Sequence, residues 1–138
     1  GAEVPTQGIP DPEKIKKKIL SGVNFFQTQY VFDTKTLKNY MDVLSESGVL
    51  DHANFIIGLG PFSSAKSAKW MNDNLFGVDV PFEIIKRLEE SNDQVKESMK
   101  ICLELISQFK EIQGVKGIHL MGPNKEEIIS EIIKESKK

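Results

Sequence analysis

The sequence contains a single cysteine, Cys102, and this scarcity excludes an internal disulfide and is typical of a reducing compartment. Cys102 lies among apolar residues of a predicted helix, where a buried small side chain is favoured over a nucleophile. No apolar run approaches the ~18–20 residues of a membrane span, and no stretch has the pattern of a signal peptide. We therefore expect a cytoplasmic chain without a membrane partner.

Charge imbalance and metal-ligand clusters are lacking as well. The 18 basic and 20 acidic residues give a net charge of −2, which predicts no nucleic-acid partner. His52 and His119 are far apart in the sequence and no cluster has metal-ligand spacing, so we predict no metal site. His52 is expected to be solvated, whereas structural hydrogen bonding is favoured for His119 over ligand binding or catalysis. There is also no nucleophile elbow, no P-loop and no GxGxxG motif.

The sequence does contain a regular alternation of apolar strands and amphipathic helices. The predicted order is β-α-β-α-β-α-α-α-β-α, with every strand followed by a helix and no hairpin signal. This alternation predicts an α/β fold with a parallel sheet covered by helices. Ligands of such folds bind at the carboxyl ends of strands, so the loops of interest follow Val4, Gln29, Gly58 and Met121.

Capping residues give the predicted bounds of the helices. Asp11 and Pro12 begin the first helix and Gly22 ends it. The remaining predictions are an N-cap at Asp33, a helix over residues 65–74, a long helix over 93–113 with a capping box at 91–94 and Val95 in its buried seam, and a last helix capped by Asn124 with Glu127.

Residues 24–33 combine an apolar, aromatic strand with two glutamines, and the strand leads into the helix that begins at Asp33. Side chains alternate along a strand, so Gln27 and Gln29 are predicted to face the same way as Phe25. A buried glutamine without a partner costs about 1–3 kcal/mol, so this face needs internal hydrogen bonds or a ligand. For Gln29, at the end of the strand, structural and functional roles are both open.

Two loops favour a second hypothesis. Residues 60–64 and 122–124 each lead into a helix N-terminus, a position that suits an anion. In a barrel these loops would occupy the usual phosphate position, so a phosphate-binding β/α-barrel enzyme of another class is the alternative. The lysines of the first helix are either a solvated face or contacts for an anionic cofactor.

Three segments resemble the methylenetetrahydrofolate reductase family. Residues 16–33 are similar to its central signature, in which a lysine-bearing helix and a Gly-Ala/Val turn precede a (Ile/Phe)-x-Thr-Gln-x-x-Phe-Asp strand end. Residues 56–61 are similar to the family's Ile-Pro-Gly-Ile/Val-Leu-Pro segment, and residues 114–121 to its last strand. The resemblance implies a parallel (β/α)8 TIM-barrel type, with residues 1–138 as a single C-terminal half barrel covering roughly the last four β/α units.

The resemblance also implies a flavin-dependent oxidoreductase that reduces methylenetetrahydrofolate, or a related methylene-pterin, to the methyl form. FAD would be the cofactor and NAD(P)H the co-substrate, in one-carbon metabolism and methionine biosynthesis. By position, Gln29 and Lys125 would bind substrate, at the pterin and the glutamate tail respectively. Asp11, Lys17 and Lys18 would contact the ribose and phosphates of FAD.

Several features depart from the family pattern. Ser67 stands where the family has a folate-binding glutamine, and residues 121–123 follow the form of archaeal and anaerobic bacterial members. The family's general-acid glutamate and its flavin-site aspartate belong to earlier strands, so we predict no catalytic residue in this chain and no activity of the chain alone. The sequence begins without Met, which suggests a fragment. We expect it to pair with the missing N-terminal half, with itself or with a partner subunit; a non-catalytic assembly subunit is a further alternative.

Overall fold

The computed structural model describes residues 2–4, 10–75, 77–122 and 124–138. Four strands form one parallel sheet in the order β1-β2-β3-β4. The strands are β1 (Ala2–Val4), β2 (Phe25–Tyr30), β3 (Asn54–Leu59) and β4 (Val115–Leu120). The predicted α/β class, the parallel sheet and the order of elements are confirmed. The loop after Val4 lies outside the described residues.

Six helices follow or connect these strands. They are α1 (Pro12–Leu20), α2 (Thr34–Glu46), α3 (Ala65–Asn74), α4 (Phe82–Glu90), α5 (Gln94–Phe109) and α6 (Glu126–Ser136), with a short 3-10 turn at Val49–Asp51. Asp11 and Asp33 cap α1 and α2 as predicted, because each carboxylate accepts from a backbone N–H of the first turn. Among the helices described, none has the length and hydropathy that a bilayer crossing needs.

The core lies between one face of the sheet and the helices. Phe26, Phe55, Ile57 and Leu59 point to this side and are fully buried. The rings of Phe26 and Phe55 stack with centroids 5.2 Å apart. Each such side chain contributes about 1.5–3 kcal/mol by burial, so the helix-covered face supplies most of the sheet's stabilisation.

The other face of the sheet is not covered by any helix that the structure describes. Along β2, buried and accessible residues alternate: Phe26 and Thr28 are buried, whereas Phe25 is exposed and Gln27 is partly exposed. We call the accessible side, which carries Phe25, Gln27, Ile56, Gly58 and His119, the open face. Parallel sheets are normally covered on both sides, so an uncovered side on this sheet is unusual.

The structure corrects three helix predictions. The long helix ends at Phe109 rather than at residue 113, because residues 110–114 turn back and bury Ile112 against the core. Its N-cap is Asp93, and Val95 in the predicted seam is exposed. Asn124 does not cap α6: it has a left-handed backbone (φ 60°), and the residue at the cap position makes no side-chain cap bond.

Candidate functional site

The carboxyl end of β2 contains a β-bulge. Gln27 is the register partner of Ile56, but Tyr30 is the partner of Gly58, so three steps on β2 match two steps on β3. Regular alternation therefore holds to Gln27 and is interrupted before Tyr30, which the sequence prediction for Gln29 did not include. Bulges redirect side chains and are frequent beside active sites.

Thr28 fixes this bulge. Its hydroxyl accepts from the Gly58 backbone N–H at 2.9 Å and donates to the Gln29 carbonyl oxygen at 2.8 Å. Thr28 is only 2% exposed, and its bond to Gly58 is buried, whereas its bond to the Gln29 carbonyl is partly buried. One threonine thus satisfies the backbone groups that the bulge removes from the ladder.

Gln29 lies in the bulge and is partly buried. Its Oε1 accepts from the backbone N–H of Tyr30 at 3.1 Å. Within the described residues no group accepts from its Nε2, so the two amide hydrogens remain available to water or a ligand. Gln29 is therefore oriented through its oxygen and offers donors at the end of its strand.

Gln27 and His119 meet on the open face. Gln27 Nε2 lies 2.6 Å from His119 Nδ1, although the two residues belong to strands on opposite sides of β3. The prediction that Gln27 needs a partner and that His119 is satisfied structurally is consistent with this bond. The bond is exposed, whereas the sequence predicted a buried glutamine.

Gly58 in β3 and Gly60 just after it leave room that neighbouring groups fill. A Cβ built on Gly58 would lie 2.5 Å from the terminal methyl carbon of Met121. A Cβ on Gly60 would lie 2.8 Å from Cε1 of Tyr30 and 2.1 Å from the Met121 carbonyl oxygen. Glycine in a strand often marks such a close approach.

Tyr30 is a site residue that sequence reasoning missed. Its ring stacks on Phe32 with centroids 5.7 Å apart, and burial raises the pKa of its phenol, so the hydroxyl stays protonated near neutral pH. Gly60, just after the neighbouring strand, is the signal that could have indicated a large side chain here. The Tyr30 ring thus packs against the core, while its backbone N–H holds the side-chain oxygen of Gln29.

Lys125 lies in the loops at the same end of the sheet. Its ammonium group donates to the hydroxyl of Ser63, which joins the loop after β4 to the loop after β3. The side-chain stem of Lys125 packs beside Gly122, where a Cβ would be 3.1 Å from Lys125 Cδ. The structure therefore places Lys125 at the carboxyl end of the sheet, and its role in binding a ligand stays a prediction.

The N-terminus of α3 is already occupied by hydrogen bonds from within the chain. Three backbone N–H groups donate to side-chain oxygens: Phe62 to Ser98 at 2.6 Å, Ala65 to Gln94 at 2.8 Å, and Ser67 to Ser64 at 3.1 Å. A phosphate at this helix would have to displace these bonds. The first turn of α6 carries Glu126 and Glu127, whose charges repel an anion.

Ser67 has a local role that accounts for its identity. Its hydroxyl donates to the carbonyl oxygen of Ser64 at 2.9 Å and accepts from the Ser64 backbone N–H at 3.2 Å. This arrangement is a capping box at the start of α3. The side chain that stands where the family has a glutamine is thus used for helix capping.

Asp11, Lys17 and Lys18 are distributed along α1. Asp11 Oδ1 accepts from the Lys14 backbone N–H at 3.2 Å as the N-cap, while the two lysines lie in the last turn. Among the described residues neither lysine forms an ion pair, whereas Lys16 lies 3.5 Å from Glu13. No hydrogen bond or ion pair within the described residues joins these α1 residues to Gln29 or Lys125.

The remaining candidates from the sequence are His52, Cys102 and a metal site, and within the residues that it describes the structure gives none of them the features of a reactive or metal-binding group. His52 is exposed, as predicted. Burial raises the pKa of the Cys102 thiol to about 12, so it stays protonated and unreactive, in agreement with a buried structural cysteine. In the described part of the chain, no group of three or more His, Cys, Asp or Glu side chains could hold a metal ion.

The chain has a parallel α/β sheet with amide, imidazole, phenol and ammonium groups at or near its carboxyl end, the end at which α/β folds generally bind ligands. The chain belongs to the methylenetetrahydrofolate reductase family, whose model matches residues 9–137. No curated protein matches it significantly.

One similar solved structure is described as an uncharacterized protein from Clostridium thermocellum that binds two copies of 5-methyl-5,6,7,8-tetrahydrofolic acid. It is 20% identical, with a TM-score of 0.64 over 91% of this chain and 47% of that chain. The likeness establishes a shared fold, and the chain spans about half the length of that protein.

Proposed function

We propose that residues 1–138 form the C-terminal half of a flavin-dependent, methylenetetrahydrofolate reductase-like (β/α)8 barrel. The complete protein would reduce a methylene-pterin to the methyl form with NAD(P)H. The observation that carries the proposal is the position of the polar side chains of Gln29, His119 and Lys125 at or near the carboxyl end of a parallel sheet, in a chain of this family. Its place would be cytoplasmic one-carbon metabolism, on the route to methionine.

The unpaired parts of the sheet support the half-barrel assignment. β1 and β4 are its edges, and the open face carries Phe25 at 39% exposure. Beside β4 runs a groove of about 290 Å³ whose apolar lining includes Ile106, Val115 and Ile118. A further β/α unit would pair with the β4 edge and fill this groove, as closure of a barrel requires. The expected partner is therefore a complementary half barrel. It could be supplied by the same polypeptide, by a second copy of the chain or by a partner subunit.

Gln29 and Lys125 would bind the substrate at two points. The free amide hydrogens of Gln29 suit the acceptor atoms of a pterin ring, and the Lys125 ammonium suits the carboxylates of a folate tail. Lysine keeps the charge of the family's arginine without its paired donors, so this contact should be weaker. The tetrahydrofolate described for the Clostridium thermocellum protein supports a folate as the ligand class.

The α1 residues fit an anionic dinucleotide such as FAD. Lys17 and Lys18 are cations without an ion-pair partner in the described residues, which suits them to phosphates, and Asp11 keeps one carboxylate oxygen for a ribose hydroxyl. A nine-residue helix is about 13 Å long, so these groups suit a long ligand lying beside α1. FAD would supply the hydride chemistry, while the chain supplies binding and orientation.

The alternatives have less support. The occupied N–H groups of α3 and the glutamates of α6 disfavour a phosphate-binding barrel at these loops. A non-catalytic assembly subunit would need the same half-barrel pairing but no ligand. No residue of this chain takes the role of general acid in the proposal, so catalysis requires the complementary half.

Titration of the chain with 5-methyltetrahydrofolate, followed by NMR, tests substrate binding. Replacing Gln29 by alanine removes hydrogen bonds worth about 1 kcal/mol and should weaken binding roughly fivefold. Gln113→Ala is the matched control, because Gln113 is exposed and lies just before the opposite end of β4. Equal affinities of Gln29→Ala and Gln113→Ala would contradict the role of Gln29.

Titration with FAD tests the cofactor site separately. The double variant Lys17→Ala/Lys18→Ala should reduce flavin affinity about tenfold or more, since each charge-assisted contact contributes about 1.5–3 kcal/mol before screening. Lys35→Ala, at an exposed lysine in the first turn of α2, is the control. If FAD bound both variants alike, α1 would not be part of the flavin site.

A further inference from the structure

The bond between Gln27 and His119 spans the middle strand of the sheet. β2 and β4 are separated by β3, and two strand spacings amount to about 10 Å, so both side chains must extend toward each other to reach 2.6 Å. His119 is the register partner of Gly58, so its side chain lies on the same face of the sheet as the side chain of Gln27. The ring is therefore held at a defined place on the open face.

The direction of this hydrogen bond determines the tautomer of His119. The Gln27 atom involved is the amide nitrogen, which can only donate, so His119 Nδ1 must accept with its lone pair. A neutral imidazole that accepts at Nδ1 carries its proton on Nε2. Among the described residues no group bonds to Nε2, and His119 is exposed.

We propose that Gln27 is a positioning residue that holds His119 as its Nε2-protonated tautomer, and that His119 Nε2–H donates to an acceptor atom of the bound heterocycle. Pterin and flavin rings share this acceptor chemistry, in carbonyl oxygens and unprotonated ring nitrogens. The assignment of a ligand to His119 rests on the proposed function, whereas the tautomer does not.

The tautomer determines whether the His119 ring presents a hydrogen-bond donor or an acceptor at Nε2. With the proton on Nε2 the open face carries a hydrogen-bond donor at His119, so the ligand atom that binds there must be an acceptor. With the opposite tautomer His119 would present a lone pair and select a ligand donor instead. If the Gln27–His119 bond served only to join β2 to β4, ligand binding would not depend on which tautomer is present.

The tautomer can be measured without any ligand. In the ¹⁵N-labelled full chain at about pH 8.5, where imidazole is ordinarily neutral, two-bond ¹H–¹⁵N correlations distinguish protonated from unprotonated ring nitrogens. Only two histidines are present, and His52→Gln assigns the spectrum. We expect the Nε2–H form for His119 in the wild type and the Nδ1–H form in Gln27→Glu, because a carboxylate can only accept. A protonated Nδ1 in the wild type would overturn the proposal.

Ligand binding is then tested by two arms, 5-methyltetrahydrofolate and FAD, each added to about 5 mM, enough to detect a Kd near 1 mM. We expect one of them to shift the His119 resonances, and His119→Phe to weaken that ligand about 5- to 10-fold while the fold is retained. Gln27→Glu should weaken it similarly by inverting the tautomer, and His52→Gln should not. Folate or flavin binding that His119→Phe leaves unchanged overturns this inference and leaves the proposed function standing. Absence of binding by the wild type overturns both, whatever the tautomer.

Discussion

Replacing Gly60 by alanine tests how closely the end of β3 approaches the chain after β4. A Cβ at this position would lie 2.1 Å from the Met121 carbonyl oxygen, about 1.3 Å inside the 3.4 Å of ordinary van der Waals contact. The obstacle is backbone, and it is fixed by the bond from the Met121 N–H to the Leu59 carbonyl oxygen at 2.8 Å. The overlap cannot be relieved by a side-chain rotation.

The expected cost follows from this geometry. Adding a methyl group to a packed site costs about 1–3 kcal/mol when side chains can adjust, and a rigid backbone contact places Gly60→Ala at the upper end. A loss of about 3 kcal/mol is a large part of a typical unfolding free energy of 5–15 kcal/mol. With a urea m-value near 2 kcal/mol/M, the midpoint should fall by about 1.5 M.

Gly117→Ala is the matched control for this experiment. Gly117 lies in β4, but a Cβ there would have nothing within 4 Å, and its φ is not in the left-handed region. Alanine should therefore be neutral or stabilise by about 0.4–1 kcal/mol through the unfolded state. Urea melts of both variants, followed by circular dichroism, give the comparison. A Gly60→Ala midpoint equal to that of Gly117→Ala would refute the close approach.

Three further predictions concern stability and reactivity. Arg87→Gln should lower the unfolding free energy by roughly 0.5–1 kcal/mol at pH 7. The hydrogen bond from Arg87 lowers the pKa of Glu104, so this contribution is full above the ordinary glutamate pKa of ~4.3 and disappears as the pH falls through the lowered value. In melts at successively more acid pH, the difference between variant and wild type should therefore shrink. Thr28→Val should cost about 1–3 kcal/mol, because it leaves the Gly58 N–H without its acceptor, and Thr28→Ser should recover part of the loss in the same melts. Cys102 should react with a thiol reagent only as fast as the protein unfolds, since its pKa is raised to about 12; rapid labelling of the native protein would contradict its burial.

Local signals were sufficient for most of the architecture. Asp11 and Asp33 are N-caps in the structure because short carboxylates satisfy the first N–H groups of a helix wherever that helix lies. The alternation of strands and helices gave the parallel sheet for a similar reason, since parallel strands need crossover connections. At Asn124 the same reasoning was wrong: the residue has φ 60°, so the left-handed turn determines its conformation.

The site was only partly predictable, because it depends on contacts between distant parts of the chain. The strand pattern identified Gln27 and Gln29 as polar residues in need of partners, but it did not indicate that His119, 92 residues away, would be the partner of Gln27. It also assumed unbroken alternation, which the bulge at Gln29 interrupts. A bulge is a property of two paired strands, so the spacing along one strand does not reveal it.

The two faces of the sheet differ in how much stability a substitution should cost. Phe26 and Phe55 are fully buried on the helix side, where removing one aromatic side chain would cost about 3–5 kcal/mol. On the open face the Gln27–His119 bond is exposed, and an exposed hydrogen bond contributes about 0.5–1.5 kcal/mol. Substitutions at Gln27 or His119 should therefore leave the chain folded while changing what the face can bind. Because these substitutions should cost little stability, a loss of affinity in Gln27→Glu or His119→Phe would report on ligand contacts rather than on folding.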